Sequence, residues 1–313
     1  MRYCHSPMRR GAALAGALAA IAIAAGAATP ATSAHVSAVT APAACGQSVG
    51  ATPVIHHVIV IVMENHSYSE VIGHAPFITA MAKRCGLATN SHAITHPSLP
   101  NYLALTSGSI HGIHSDCQPQ SCSIGGPNIF SQLSRHGLRW RSYAESMPSP
   151  CDRGSNGLYA ARHVPAVYYV RVRAHCGRNV RSLGRLASGR LHHALHSGHA
   201  PAYMFVTPNL CNDMHDCSVA TGDRWAARWI PMIVASRTYR HGHTAILLVW
   251  DEGGANHNQV ALIAISRYTR PHTVSSRAMT HFSLLRASER LLGIRRYLGK
   301  ANSSRGLPKA FHL

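Results

Sequence analysis

Residues 54–67 read V-I-H-H-V-I-V-I-V-M-E-N-H-S. A near-continuous β-branched run of this kind predicts a strand over 54–63 that is buried on both faces, because a half-exposed strand would alternate apolar with polar residues. The run stops on Glu64 and Asn65. A carboxylate and an amide at the carboxyl end of a buried strand lie at the sheet edge where open α/β sheets build their sites. A solvated strand-end turn is the plain alternative.

Two further stretches repeat the pattern. Residues 202–207 predict a strand that runs into P-N-L-C-N-D-M-H-D-C, in which Asp213 and His215 stand two apart between Cys211 and Cys217. Residues 244–250, T-A-I-L-L-V-W, predict a buried strand that runs into Asp251-Glu252-Gly253-Gly254. Adjacent carboxylates at a buried strand end are costly unless a cation neutralises them, which favours a divalent ion over a plain turn. For Asp213 and Asp216 the sequence leaves local capping and a pocket-facing role equally open. The chain has only eleven Asp and Glu, and Glu64, Asp213, Asp216, Asp251 and Glu252 fall in these three motifs. A chain so poor in carboxylates that still groups them at strand ends points to a cation site.

Between these strands the pattern predicts helices over 76–84, 128–136, 224–240 (capped by Asp223) and 282–292, and strands over 86–92, 138–144 and 260–266. An Arg- and His-rich surface helix is expected over 179–196, and an irregular loop holding His163 over 151–168. Strands that end in site residues and alternate with helices predict an α/β fold: three layers, with a mainly parallel central sheet covered by helices on both faces.

Residues 95–108 read T-H-P-S-L-P-N-Y-L-A-L-T-S-G. Pro97 favours extended backbone before it, Ser98 is a good N-cap, Pro100 suits a first turn, and Gly108 ends the helix. A hydroxyl there would face unpaired N–H groups and the positive end of the helix dipole, where a phosphate oxyanion is best held. Asn101, one turn on, could add a donor. An ordinary capped helix is the alternative these residues leave open by themselves.

The first 34 residues carry Arg2, Arg9 and Arg10, an Ala-rich run over 11–28, and small residues suited to cleavage near Ala34 or Ala44. This is the pattern of a secretory signal peptide, with a membrane anchor as the alternative. No other segment is long and apolar enough to span a bilayer, and residues 45–313 read as a single domain. Export suits the cysteines: with Cys4 in the leader, eight of the nine remain, an even set expected to form disulfides. The net charge of +19 draws the protein to anions such as phosphorylated substrates, anionic lipid head groups or wall polymers. The arginines lack the aromatic interleaving of a nucleic-acid platform, so nucleic acid is set aside.

The motifs I-V-M-E-N-H-S, H-P-S-L-P-N-Y-L-A-L-T-S-G, P-N-x-x-N-D-M-H-D and V-W-D-E-G-G, with H-V-P at His163 and T-H-F around His281, resemble in order and spacing the bacterial phosphoesterase family. That family includes phospholipases C and acid phosphatases, and the resemblance is strongest to secreted acid phosphatases of the SapM type. P-S-L-P-N also resembles the nucleophile turn of the wider alkaline phosphatase superfamily. The resemblance implies Ser98 as a nucleophile that also touches the metal, and Glu64, Asn65, Asp251 and Glu252 as ligands of one divalent ion. It further implies Asn101 on a phosphoryl oxygen, and Asp213 and His215 in the phosphate pocket. It assigns no role to His163 or His281.

The reading that follows is a secreted, metal-dependent acid phosphatase that cleaves monoesters of small molecules or phosphoinositide head groups through a phosphoserine. Two alternatives stay open: a phosphodiesterase of phospholipase C type using the same centre, and a non-catalytic basic protein that binds the wall.

Overall fold

The structure is a computed structural model that describes residues 44–47, 54–254 and 256–313. The expected signal peptide lies outside them. Among the described residues no helix is long and apolar enough to cross a membrane.

One sheet organises the fold. Its strands are β1 (His57–Met63), β2 (Gly86–His92), β3 (Trp140–Ala144), β4 (Val180–Ser182), β5 (Tyr203–Thr207), β6 (Thr244–Trp250), β7 (Gln259–Ser266), β8 (Thr273–Ser275) and β9 (Met279–Thr280). They lie in the order β4-β3-β5-β1-β6-β7-β2-β8, with β9 beside β2. β7 pairs antiparallel with both β6 and β2, while the other pairings are parallel. The sheet is therefore mixed but mostly parallel, as the continuous apolar runs predict. β5 and β6 are buried throughout, and β1 from its second residue. Each Val, Ile or Leu so enclosed contributes on the order of 1.5–3 kcal/mol relative to an exposed one.

β1 sits between β5 and β6, and register decides what meets at its end. Met63 pairs with Trp250 and Ile61 with Val206. Glu64 and Asp251 therefore leave neighbouring strands at the same level, tied by Asp251 N–H to the Met63 carbonyl at 2.9 Å. Glu64 N–H donates to the Asp213 carbonyl at 2.8 Å, which brings the loop after β5 to the same edge.

Three local expectations change. Residues 179–196 are not one helix: a short helix Cys176–Asn179 leads into β4, and a second helix spans Arg190–His196. Parallel pairing of Val180 with Ser142 outweighs the helical tendency there. Asp223 does not cap its own helix but lies inside helix Val219–Ala235, and that helix does not run to 240: it ends at Ser236, which caps a separate helix Arg237–His241. Its carboxylate instead accepts from Phe77 N–H at 3.1 Å and Ile78 N–H at 2.9 Å, capping helix Pro76–Arg84 from across the fold. The helix at Ser98 spans Ser98–Ser107 with Pro97 at the N-cap, so the Ser98 hydroxyl is not used as a cap.

Four disulfides join Cys45 to Cys85, Cys117 to Cys122, Cys151 to Cys176 and Cys211 to Cys217. All eight cysteines from Cys45 onward are paired, and the last bridge closes the loop that carries Asp213 and His215.

Candidate active site

Every residue of helix Ser98–Ser107 is buried, and the helix begins under the carboxyl edge of the sheet. Positions one turn apart share a helix face, so Ser98, Asn101 and Tyr102 look the same way. The Ser98 hydroxyl donates to Glu64 Oε2 at 2.9 Å and the Tyr102 hydroxyl to Glu64 Oε1 at 2.5 Å. The amide oxygen of Asn101 accepts from Ile94 N–H at 2.9 Å and Thr95 N–H at 3.2 Å. Its NH₂ group reaches the Thr95 and Pro97 carbonyls and Glu252 Oε2 at 3.1 Å. Both amide hydrogens are thus committed, and Asn101 holds the loop before Ser98 against Glu252 instead of pointing a free donor at a phosphoryl oxygen.

Asn65 takes a left-handed conformation (φ 56), which asparagine tolerates, and donates its backbone N–H to Asp251 Oδ1 at 3.1 Å. Gly253 makes room for this turn: a Cβ there would lie 3.0 Å from the Ser67 backbone. Glu252 turns aside to Asn101 and to His96 Nδ1, 3.1 Å away.

Asp213 is placed by the loop after β5. Its Oδ1 accepts from His215 N–H at 2.8 Å and its Oδ2 receives His163 Nδ1 at 3.2 Å. His163, stacked on Tyr102 with ring centroids 5.3 Å apart, then presents Nε2 to Glu64 Oε1 at 3.4 Å without forming a hydrogen bond. His215 lies between Asp216, 2.6 Å from its Nδ1, and the Arg162 guanidinium, 3.0 Å from its Nε2. Arg162 also approaches Asp116, whose other oxygen accepts from Leu99 N–H at 2.9 Å. One of the helix N-terminal amides expected to face an oxyanion is therefore engaged by a carboxylate of the chain.

These carboxylates hold protons tightly. Burial, then the neighbouring Asp251 and Asp213, pushes Glu64 well above the ordinary range, while donation from Tyr102 and Ser98 opposes this. Burial followed by Glu252 does the same to Asp251. Asp213 and Glu252 are each pushed up to about 7, chiefly by burial. His163 is driven well below its usual value by burial and then by Arg162, and burial brings His281, whose Nε2 meets the Asp251 carbonyl, down to about 4.

A cation suits this set. The buried oxygens Asn65 Oδ1 and Asp251 Oδ2 and the nitrogen His163 Nε2 have no hydrogen-bond partner. With Nδ1–H given to Asp213, Nε2 turns a lone pair on a carboxylate oxygen, an arrangement relieved by a positive charge between them. Glu64, His163 and His215 bring ligand atoms within 4.8 Å of one another and could hold a metal ion.

A model of the phosphoesterase family matches residues 74–295. The chain belongs to the phosphoesterase family. It is 30% identical over 256 residues to the phosphatidylinositol-3-phosphatase of Mycobacterium tuberculosis, covering 80% of this chain and 81% of that protein. It is 31% identical over 176 residues to an acid phosphatase of Aspergillus fumigatus, covering 54% of this chain and 38% of that protein. The phosphoesterase thus spans well under half the length of that fungal relative. A Vibrio parahaemolyticus protein of the alkaline phosphatase superfamily shares the fold, with TM-score 0.58 at 10% identity over 85% of this chain and 73% of that one.

Of the residues singled out in the sequence, the phosphoesterase structure links Ser98 to Glu64, Asn65 to Asp251, and Asn101 to Glu252, and sets Asp213 and His215 beside them through His163. Sequence reasoning gave no role to His163, Tyr102, Arg162, Asp116 or His96. The H-V-P motif marked His163, and spacing within the helix could have marked Tyr102, four residues after Ser98. Arg162, Asp116 and His96 come from loops whose paths no periodicity betrays.

Proposed function

We propose that this phosphoesterase is an exported, metal-dependent acid phosphatase that hydrolyses phosphate monoesters through a phosphoserine at Ser98. Hydrolysis of phosphoric ester bonds is the activity that family membership and the named relatives support. The observation that carries the finer reading is the Ser98 hydroxyl bonded to Glu64 inside a buried group of carboxylates, beside ligand atoms that lack partners.

Glu64, Asn65, Ser98 and Asp251 would hold one divalent ion, with His163 Nε2 turned to it as a further ligand and Glu252 behind them. When bound, that ion would supply a Lewis acid to the serine oxygen and charge to offset the carboxylates. Ser98 Oγ attacks phosphorus, its proton leaving along the hydrogen bond to Glu64, which the bound ion would keep ionised and able to accept it, and the bond to the leaving oxygen breaks. His215, held between Asp216 and Arg162, passes a proton to that oxygen; water then cleaves the phosphoserine. Asn101 positions the serine loop, and Asp213 and Tyr102 fix His163 and Glu64.

The test compares a monoester and a diester of one chromophore, each assayed with chelator-treated and metal-restored protein. Monoester turnover that requires added metal is expected. Preference for the diester would favour a phospholipase C type activity, and no hydrolysis of either at any pH would leave a non-catalytic binding protein.

A further inference from the structure

Between Asp152 and Asp213 the chain carries eight arginines and no carboxylate. Folding gathers three of them, Arg178, Arg181 and Arg190, around Arg141. β4 is an edge strand on β3, with Arg181 in register with Tyr143. Alternation puts Arg141 and Tyr143 on one face of β3, and registered neighbours in a parallel pair share a face, so Arg181 joins them. Helix Cys176–Asn179, tied to Cys151 by a disulfide, adds Arg178; helix Arg190–His196 adds Arg190 and His193. These six side chains line a cavity of about 370 Å³, within the range of small-ligand sites. It shares no residue with the candidate active site, and three strand spacings, roughly 14 Å, separate β4 from β1.

The arginines are aimed without being neutralised. Arg141 donates to the Trp140 carbonyl and to Asn179 Oδ1, and Arg181 to the Gly177 carbonyl at 2.7 Å. Among the described residues none of the four pairs with a carboxylate. Burial and then the charges of Arg139, Arg181 and Arg178 press the Arg141 guanidinium to give up its proton, although nearby Tyr143 opposes this. Guanidinium groups form forked hydrogen bonds that match phosphate oxygens, and neutral acceptors hold two of these in place without consuming their charge.

We propose that this cavity is a second anion site, which takes a ligand bearing two or more closely spaced phosphate-type oxyanions, either free in solution or as the head group of an anionic lipid. It does not depend on the reading of Ser98.

The test uses the full protein with Arg178→Ser and Arg190→Ser combined, both exposed positions, against a charge-matched control, Arg224→Ser with Arg228→Ser, on helix Val219–Ala235. Methylenediphosphonate, which resists hydrolysis, is titrated calorimetrically, and co-sedimentation is measured with phosphatidylcholine vesicles with and without cardiolipin, whose head group carries two phosphates, both diesters. The pocket variant should bind at least one probe tenfold or more weakly than wild type, with the control within about twofold. Both variants should keep kcat/KM on a soluble monoester and a cooperative melt. Loss confined to vesicles assigns a head group, and loss with diphosphonate assigns a soluble polyanion. Equal losses in both variants, or none, overturn the site; if the serine variant no longer melts cooperatively, Arg178→Gln with Arg190→Gln takes its place, and wild-type binding by that variant overturns the site.

Discussion

Ser98 and Glu64, 34 residues apart in sequence, are joined by a 2.9 Å hydrogen bond in a place closed to solvent. Ser98→Ala removes the only atom able to form the proposed phosphoserine. Turnover of a chromogenic monoester should fall by about a thousandfold or more, with the melting temperature little changed. Near-normal activity in the purified variant would end the nucleophile assignment.

Asp213 orients His163, which faces Glu64. Asp213→Asn should weaken cation affinity by about 10–100-fold, as expected when the partner of a ligand histidine is altered. Metal titration followed by activity and by melting temperature would measure it, and unchanged affinity would remove His163 from the cation site.

Chelation should destabilise the protein more as pH rises. In the metal-free fold Asp213 keeps its proton up to about 7, whereas the unfolded chain releases it near the ordinary value of about 4. The native state therefore binds the extra proton between these values, so stability is full below the lower one and declines as pH climbs towards the higher. The gap in melting temperature between metal-loaded and chelated protein should widen from pH 5 to pH 8. A constant gap would mean that these carboxylates are not neutralised by the ion.

Glu289 offers the same effect away from the cation. It is fully buried, accepts from Leu298 N–H, and is pushed up to about 7 chiefly by burial. Its folded value exceeds its unfolded one, so it too costs stability as pH rises from about 4.5 to 7. Glu289→Gln keeps the acceptor and should raise stability at pH 8 by about 2 kcal/mol, or about 4–8 °C, with little change at pH 4.5. Parallel pH profiles for the two proteins would refute this.

Asp223→Ala deletes the remote cap on helix Pro76–Arg84 and should cost about 1–2 kcal/mol in urea melts, leaving kcat intact. A loss confined to kcat would place Asp223 in the active centre instead.

The sequence by itself determined the strands and the chemistry at their ends. Unbroken β-branched runs such as 58–62 are buried on both faces in any parallel sheet, and rare carboxylates at their carboxyl ends mark a site whatever the strand order. The helix after Pro97 was legible for the same reason: its signals are local. Only tertiary structure decided who meets whom. The Met63–Trp250 register sets Glu64 beside Asp251, the loop after β5 carries Asp213 under Glu64, and His163 arrives from a segment with no period. Asp223 and Asn101 show the limit most plainly, since each has the donors or acceptors its sequence context suggests but uses them on partners folded in from elsewhere. Pattern encodes which face of an element is apolar; hydrogen-bond partners across the fold follow from strand order and register, which local pattern does not contain.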